Sequence, residues 1–141
     1  MKGGRPGAGR FQWSAGGWFG SQLGGSLWLA ITALVVRQEA PRVAAIASSA
    51  FLAANLVGTI LWLGRSRLPP YPALQVLLLA LGGAALVASL ALRQAIANGA
   101  IEPRLGVRPL LVLALYLGLA VFFWALEASG RRGRGTGSAR E

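Results

Sequence analysis

The sequence predicts an all-α integral membrane fold, a four-helix transmembrane bundle running antiparallel, up-down-up-down, with disordered basic tails. Three observations carry this. Four apolar runs of about 20 residues fill most of the 141-residue chain, and roughly 20 helical residues cross a hydrocarbon core about 30 Å thick. Only 13% of residues are charged, against 55% hydrophobic, and the charges fall outside the runs or at their ends, where a soluble amphipathic helix would carry them throughout. The linkers are short, and short linkers make sequential helices antiparallel neighbours.

The runs cover residues 18–36, 43–64, 73–92 and 107–126. Proline is favoured at the start of a helix, whose first turn has no use for the missing N–H, so Pro41, Pro72 and Pro109 mark the starts of spans 2, 3 and 4. The first two loops, Arg37–Arg42 and Arg65–Tyr71, are brief; the third, Arg93–Gly106, is the longest, with turn signals at Asn98-Gly99 and Glu102-Pro103. The basic N-terminus ahead of span 1 resembles a secretory signal in charge, but the run is too long for a signal core and lacks a cleavage site, so span 1 is expected to stay uncleaved. Residues 13–127 then form the four-span domain. Residues 1–12 and 128–141, rich in Gly, Arg and Ser, are expected to be disordered cytoplasmic tails.

Orientation follows from counting Lys and Arg, since positively charged segments stay in the cytoplasm. The N-tail holds three, the second loop two and the C-tail four, against two in the first loop and three in the third. Both termini of this multi-pass chain are therefore expected to be cytoplasmic. Aromatic placement agrees: Trp13 and Trp18 open span 1, Trp62 closes span 2, Tyr71 opens span 3 and Trp124 closes span 4, all on that side. They are expected to be interfacial anchors. The net charge of +10 is read as attraction of the basic tails to anionic lipid headgroups, with no nucleic acid expected as partner.

Helices in lipid approach through small residues. Gly16, Gly20 and Gly24 form a ladder at every fourth position of span 1, and Ala50, Ala54 and Gly58 form another on span 2; the two are expected to face each other. Span 3 adds Gly82 and Gly83 at mid-membrane. Polar groups in lipid need partners. Asn55 and Tyr116 lie at similar depth, and a contact between them is expected, with Trp28 filling the space beside the two glycines. Gln22, Ser26 and Gln75 lie nearer the cytoplasmic ends, where they could line a shallow vestibule. Gln22, Asn55, Thr59, Gln75 and Tyr116 are thus the candidate solute-binding residues.

The absences narrow the chemistry further. Without cysteine or histidine the chain lacks a thiolate nucleophile, the usual general base and the commonest metal ligands, and its four glutamates lie outside the spans or at their ends. No catalytic residue, cofactor or metal site is expected, and no acid in span 1 serves proton-coupled export. Glu127, beside the Arg-rich tail, is expected to form a surface ion pair. Ala53-Ala-Asn-Leu-Val-Gly58 resembles the Asn-bearing second span of small fluoride channels over six residues, yet span 3 lacks the Thr/Ser/Phe-rich break that carries that family's ion path. The expected function is that of a non-enzymatic scaffold or accessory subunit, packing on itself as a homo-oligomer or on a larger membrane partner. The alternative is a small channel or carrier for a neutral or weakly polar solute.

Overall fold

The structure, a computed structural model, describes residues 11–102 and 109–135. It is all-helical: α1 spans Ala15–Val36, α2 Pro41–Leu63, α3 Pro70–Ala97 and α4 Pro109–Gly135, with a 3₁₀ turn at Gly64–Ser66. All four are long and apolar enough to cross a membrane.

Each boundary has a local cause. Ser14 caps α1, its Oγ accepting from the Gly17 amide at 3.3 Å, which satisfies one of the orphan donors of the first turn. Pro41 and Pro109 stand at the first helical positions of α2 and α4, as the sequence predicts. The start of α3 differs, because Pro70 takes that place and Pro72 falls two residues inside. Pro70 forces its predecessor, Pro69, out of the helical region, at φ −65° and ψ 141°. Pro72 still lies in the first turn, where an N–H has no intrahelical acceptor, so the helix tolerates it.

The other end of α3 also moves. The helix runs past Arg93 to Ala97, which shortens the third loop, and it ends where Asn98-Gly99 signals a turn. Gly99, at φ 71°, takes the left-handed conformation that a side chain disfavours. Its amide donates to the Ile96 carbonyl at 3.0 Å, and the Ala100 amide to Ala95 at 2.9 Å, the two bonds of a Schellman cap. The chain then turns Ile101 back into the core beside Leu92 and Ala95.

At the C-terminus the helical backbone continues to Gly135, so residues 128–135 are helical where a disordered tail is expected. Residues 1–10 and 136–141, the remainder of both expected tails bar Phe11 and Gln12, lie outside the described residues, as do 103–108, with the expected turn at Pro103.

Contacts link α1 with α2, α2 with α3 and α3 with α4, and α3 also touches α1. The third helix is therefore the hub: 44% of its most apolar stretch is buried inside the bundle, against 11% for α4. The interior mixes small side chains and leucines, with Ala47, Ala54, Ala85, Ala88, Ser26 and Ser89 as well as Leu29, Leu77, Leu81 and Leu92 all nearly inaccessible, while Leu34, Leu52, Leu79 and Leu111 point outward. Small residues at the contacts and large apolar side chains outside are the arrangement expected when lipid, rather than water, surrounds a bundle.

Candidate functional site

The polar side chains of the spans do not share one lumen. Their interhelical bonds fall at separate helix pairs. Between α1 and α2, Gln22 Nε2 donates to both the backbone oxygen (2.9 Å) and Oδ1 (3.0 Å) of Asn55. Asn55 Nδ2 returns bonds to Ser26 Oγ at 2.9 Å and to the Phe51 carbonyl at 2.8 Å. Ser26 Oγ in turn donates to the Gln22 carbonyl at 2.8 Å. Trp18 extends the set, its indole N–H donating to the Gly58 carbonyl at 3.0 Å. A carbonyl already used within a helix has a second lone pair, so these bonds need not unmake the helices.

This arrangement corrects the expected packing of α1. Gly16, Gly20 and Gly24 are exposed, and a Cβ added at any of them would meet nothing within 4 Å. The face against α2 is instead Trp18, Gln22, Ser26 and Leu29, each two residues beyond a ladder position or continuing the same row. Two helical residues turn the chain through about 200°, so a ladder offset by two lies on the opposite side. On α2, Ala54 and Gly58 are buried and Ala50 half-buried. At Gly58 a Cβ would fall 2.5 Å from Gln22 Cδ and Oε1, so only glycine lets the amide lie so close.

The expected contact between Asn55 and Tyr116 is absent, each having another partner. The Tyr116 hydroxyl donates to the Gly25 carbonyl at 2.6 Å, joining α4 to α1. Its ring rests on Gly82, where a Cβ would meet Tyr116 Cβ at 3.0 Å, so it is Tyr116, rather than Trp28, that uses this glycine. Gly83 faces open space. Gln75 Nε2 donates to the Ala120 carbonyl at 3.2 Å, joining α3 to α4, and the exposed Thr59 bonds within its own helix, to the Asn55 carbonyl at 2.8 Å. Gln22 Oε1 and Ser89 Oγ are the buried side-chain oxygens among the described residues that have no hydrogen-bond partner.

Aromatic side chains gather at the ends expected to be cytoplasmic. Trp13 and Trp18 have ring centroids 4.8 Å apart, and Trp13 lies 5.7 Å from Trp62. Phe11 lies 5.8 Å from Tyr71 and 5.6 Å from Phe123. The Trp13 indole donates to the Leu68 carbonyl at 3.1 Å, tying the chain ahead of α1 to the α2–α3 connection. Arg65 sits 4.7 Å from the Trp62 ring centroid, a cation–π contact. Trp18 is buried inside the bundle, whereas Trp124 is 61% exposed; only Trp124 has the outward placement of a simple anchor. Glu127 is 4% exposed and so is not the surface group expected.

Sequence reasoning placed Gln22 and Ser26 near a vestibule and missed their union with Asn55. A signal for it exists. The first hairpin turns between Gln38 and Glu39, and Gln22 lies as many residues before that turn as Asn55 lies after it. Replacing Tyr116 with phenylalanine, which keeps the ring on Gly82 and removes the bond to Gly25, should cost about 1 kcal/mol. Reversible unfolding in mixed micelles measures it, and no change would deny the bond a part in docking α4.

The class thus defined is a small four-helix protein compatible with a multi-pass membrane location, its helices joined by side chains that bond neighbouring backbones. No protein-family model, curated protein or solved structure matches the chain.

Proposed function

We propose that this chain is a non-enzymatic integral membrane protein, a scaffold or accessory subunit that packs on itself or on a larger membrane partner. The observation that carries the reading is the use of the polar residues. Gln22, Ser26, Asn55, Gln75 and Tyr116 each spend their donors on hydrogen bonds within or between helices, and the interhelical bonds fall at three different helix pairs. A solute path needs such groups facing one lumen with capacity to spare. The lack of histidine, cysteine and any acid deep in a span weighs against catalysis and proton coupling.

In this reading the helices alternate in direction. Contacts between Trp18 and Gly58 and between Gln22 and Asn55 support that, since partner numbers rise on α2 as they fall on α1. Both termini lie in the cytoplasm, held by the excess of Lys and Arg on that side, and the basic tails meet anionic headgroups. The fourth helix, least buried, offers Leu111, Leu115, Phe122 and Trp124 to a neighbouring span.

Proteoliposomes separate scaffold from carrier. Reconstituted protein should leave permeability to glycerol and urea at the level of protein-free vesicles. A protein-dependent flux that Asn55→Leu abolishes without unfolding the protein would transfer the assignment to the carrier.

A further inference from the structure

The unused glycine face of α1 opens onto a groove shared with α4. A cavity of about 610 Å³ lies between α1 and α4, floored by α3 and walled by Gly20, Gly24 and Gly25 on one side and by Leu115, Tyr116 and Leu119 on the other. A second cavity of about 190 Å³, lined by Phe11, Trp13 and Ser14, adjoins it at the N-terminal end of α1. Ser21, Leu74 and Phe123 line both cavities, so the two form one channel-like cleft. We propose that this cleft holds one acyl chain of an anionic phospholipid drawn from the leaflet at the N-terminal end of α1.

Depth selects the occupant. Along α1 the joined cavities run from Gly17 to Trp28, and along α4 from Phe123 to Val112. Eleven helical steps at 1.5 Å each make roughly 16 Å, about half the thickness of the hydrocarbon core. A transmembrane helix from a partner or a second copy would extend through both leaflets and measures about 10–12 Å across. Along α1 the cleft stops at Trp28, near the middle of Ala15–Val36, and along α3 at Leu81, less than halfway through Pro70–Ala97, the reach of one acyl chain rather than of a whole span. Near its inner end the Tyr116 hydroxyl bonds to Gly25, joining the two walls there.

Charge selects the headgroup. The outer end of the cleft lies where the chain enters α1, the α2–α3 connection passes and α4 leaves, as the bond from Trp13 to Leu68 and the contact of Phe11 with Phe123 establish. Lys2, Arg5 and Arg10 precede that point in sequence, Arg65 and Arg67 occupy the connection, and Arg131, Arg132, Arg134 and Arg140 lie in the last turns of α4 or beyond it, against Glu127 and Glu141 as the acids of that part of the sequence. Glu39 and Glu102 belong to the connections at the other end of the bundle. A negative headgroup held at the aromatic level therefore meets an excess of positive charge. The Gln12 and Ser14 side chains line the outer cavity, within the region where a lipid carries its glycerol esters.

Native mass spectrometry of the purified protein with added phosphatidylglycerol or phosphatidylcholine tests this. The wild type should retain one phosphatidylglycerol, and about tenfold less phosphatidylcholine at equal concentration. The double variant Gly20→Leu/Gly24→Leu, whose new side chains enter open space and fill the cleft, should lose that retention. Gly118→Leu, also free of close neighbours but outside the cleft, should keep it. Equal retention of the two lipids, or retention by the double variant, would overturn the proposal, as would a wild-type dimer free of lipid that the double variant dissolves. Should the double variant misfold, a phosphatidylglycerol with a photoreactive acyl chain decides on the wild type. Labelling confined to residues 20–28 and 112–123 supports the proposal, and labelling spread over the outer faces refutes it.

Discussion

Replacing Gly58 with leucine should separate α1 from α2 and lower stability on the order of 3 kcal/mol, the upper range for overfilling a packed interior. The cause begins with the first carbon added. A Cβ at Gly58 falls 2.5 Å from Gln22 Cδ and Oε1 and 3.0 Å from Cγ, so Gln22 must leave. Its departure unmakes both bonds from Nε2 to Asn55, and the larger side chain also pushes against α1, which carries Trp18, the donor to the Gly58 carbonyl. Gly58→Ala should therefore already cost about 1–2 kcal/mol. Gly16→Leu is the contrasting control. It enters open space and, by removing a glycine from a helix, should be neutral or stabilising by up to about 1 kcal/mol. Unfolding titrations in mixed micelles rank the three, and equal effects at positions 58 and 16 would refute the assignment of the α2-facing side of α1.

The second large effect concerns the Gln22–Asn55 pair and is best read as a cycle. Asn55→Leu should cost about 1–2 kcal/mol, because it removes the acceptor Oδ1 from Gln22 and the donor that reaches Ser26. Gln22→Met keeps an unbranched chain of similar size and discards the buried Oε1 that has no partner, but strands one acceptor on Asn55. The double variant replaces both members of the pair with apolar groups. Removing both partners of a buried bond is far less costly than removing one, so it should lie within about 1 kcal/mol of the wild type and well below the sum of the single losses. Strict additivity would mean that the two amides act independently.

Much of the architecture is legible in the sequence. Four runs of the right length, Pro41 and Pro109 at helix starts and the turn at Asn98-Gly99 all correspond to the structure, because length, proline geometry and left-handed glycine are local constraints. Which way each helix faces was harder to read. The first helix is apolar nearly all the way round, so no contrast between faces announces its inner side, and a ladder of glycines at every fourth position has the same period as the row of Trp18, Gln22 and Ser26 that does the packing. Small residues permit close approach on either side. The polar partners were mistaken for a related reason. Asn55 and Tyr116 share a depth, but depth does not say which helices are adjacent at that face, and a hydrogen bond is decided by adjacency. Counting outward from the first turn pairs Gln22 with Asn55; no similar rule finds the bond from Tyr116 to Gly25, which crosses between helices distant in sequence.

The distribution of these bonds bears on how the chain is built. Ribosomes deliver the N-terminal half first, and the network of Trp18, Gln22, Ser26, Asn55 and Gly58 is complete within that half. The first hairpin can thus leave the translocon with most of its amides already satisfied, before the remainder has been synthesised. Gln75 has no such early partner, since its acceptor, Ala120, belongs to the last helix. The third helix must therefore wait in lipid with an amide unmatched until the fourth arrives, and a pause in synthesis between them would leave it the segment most exposed to quality-control proteases.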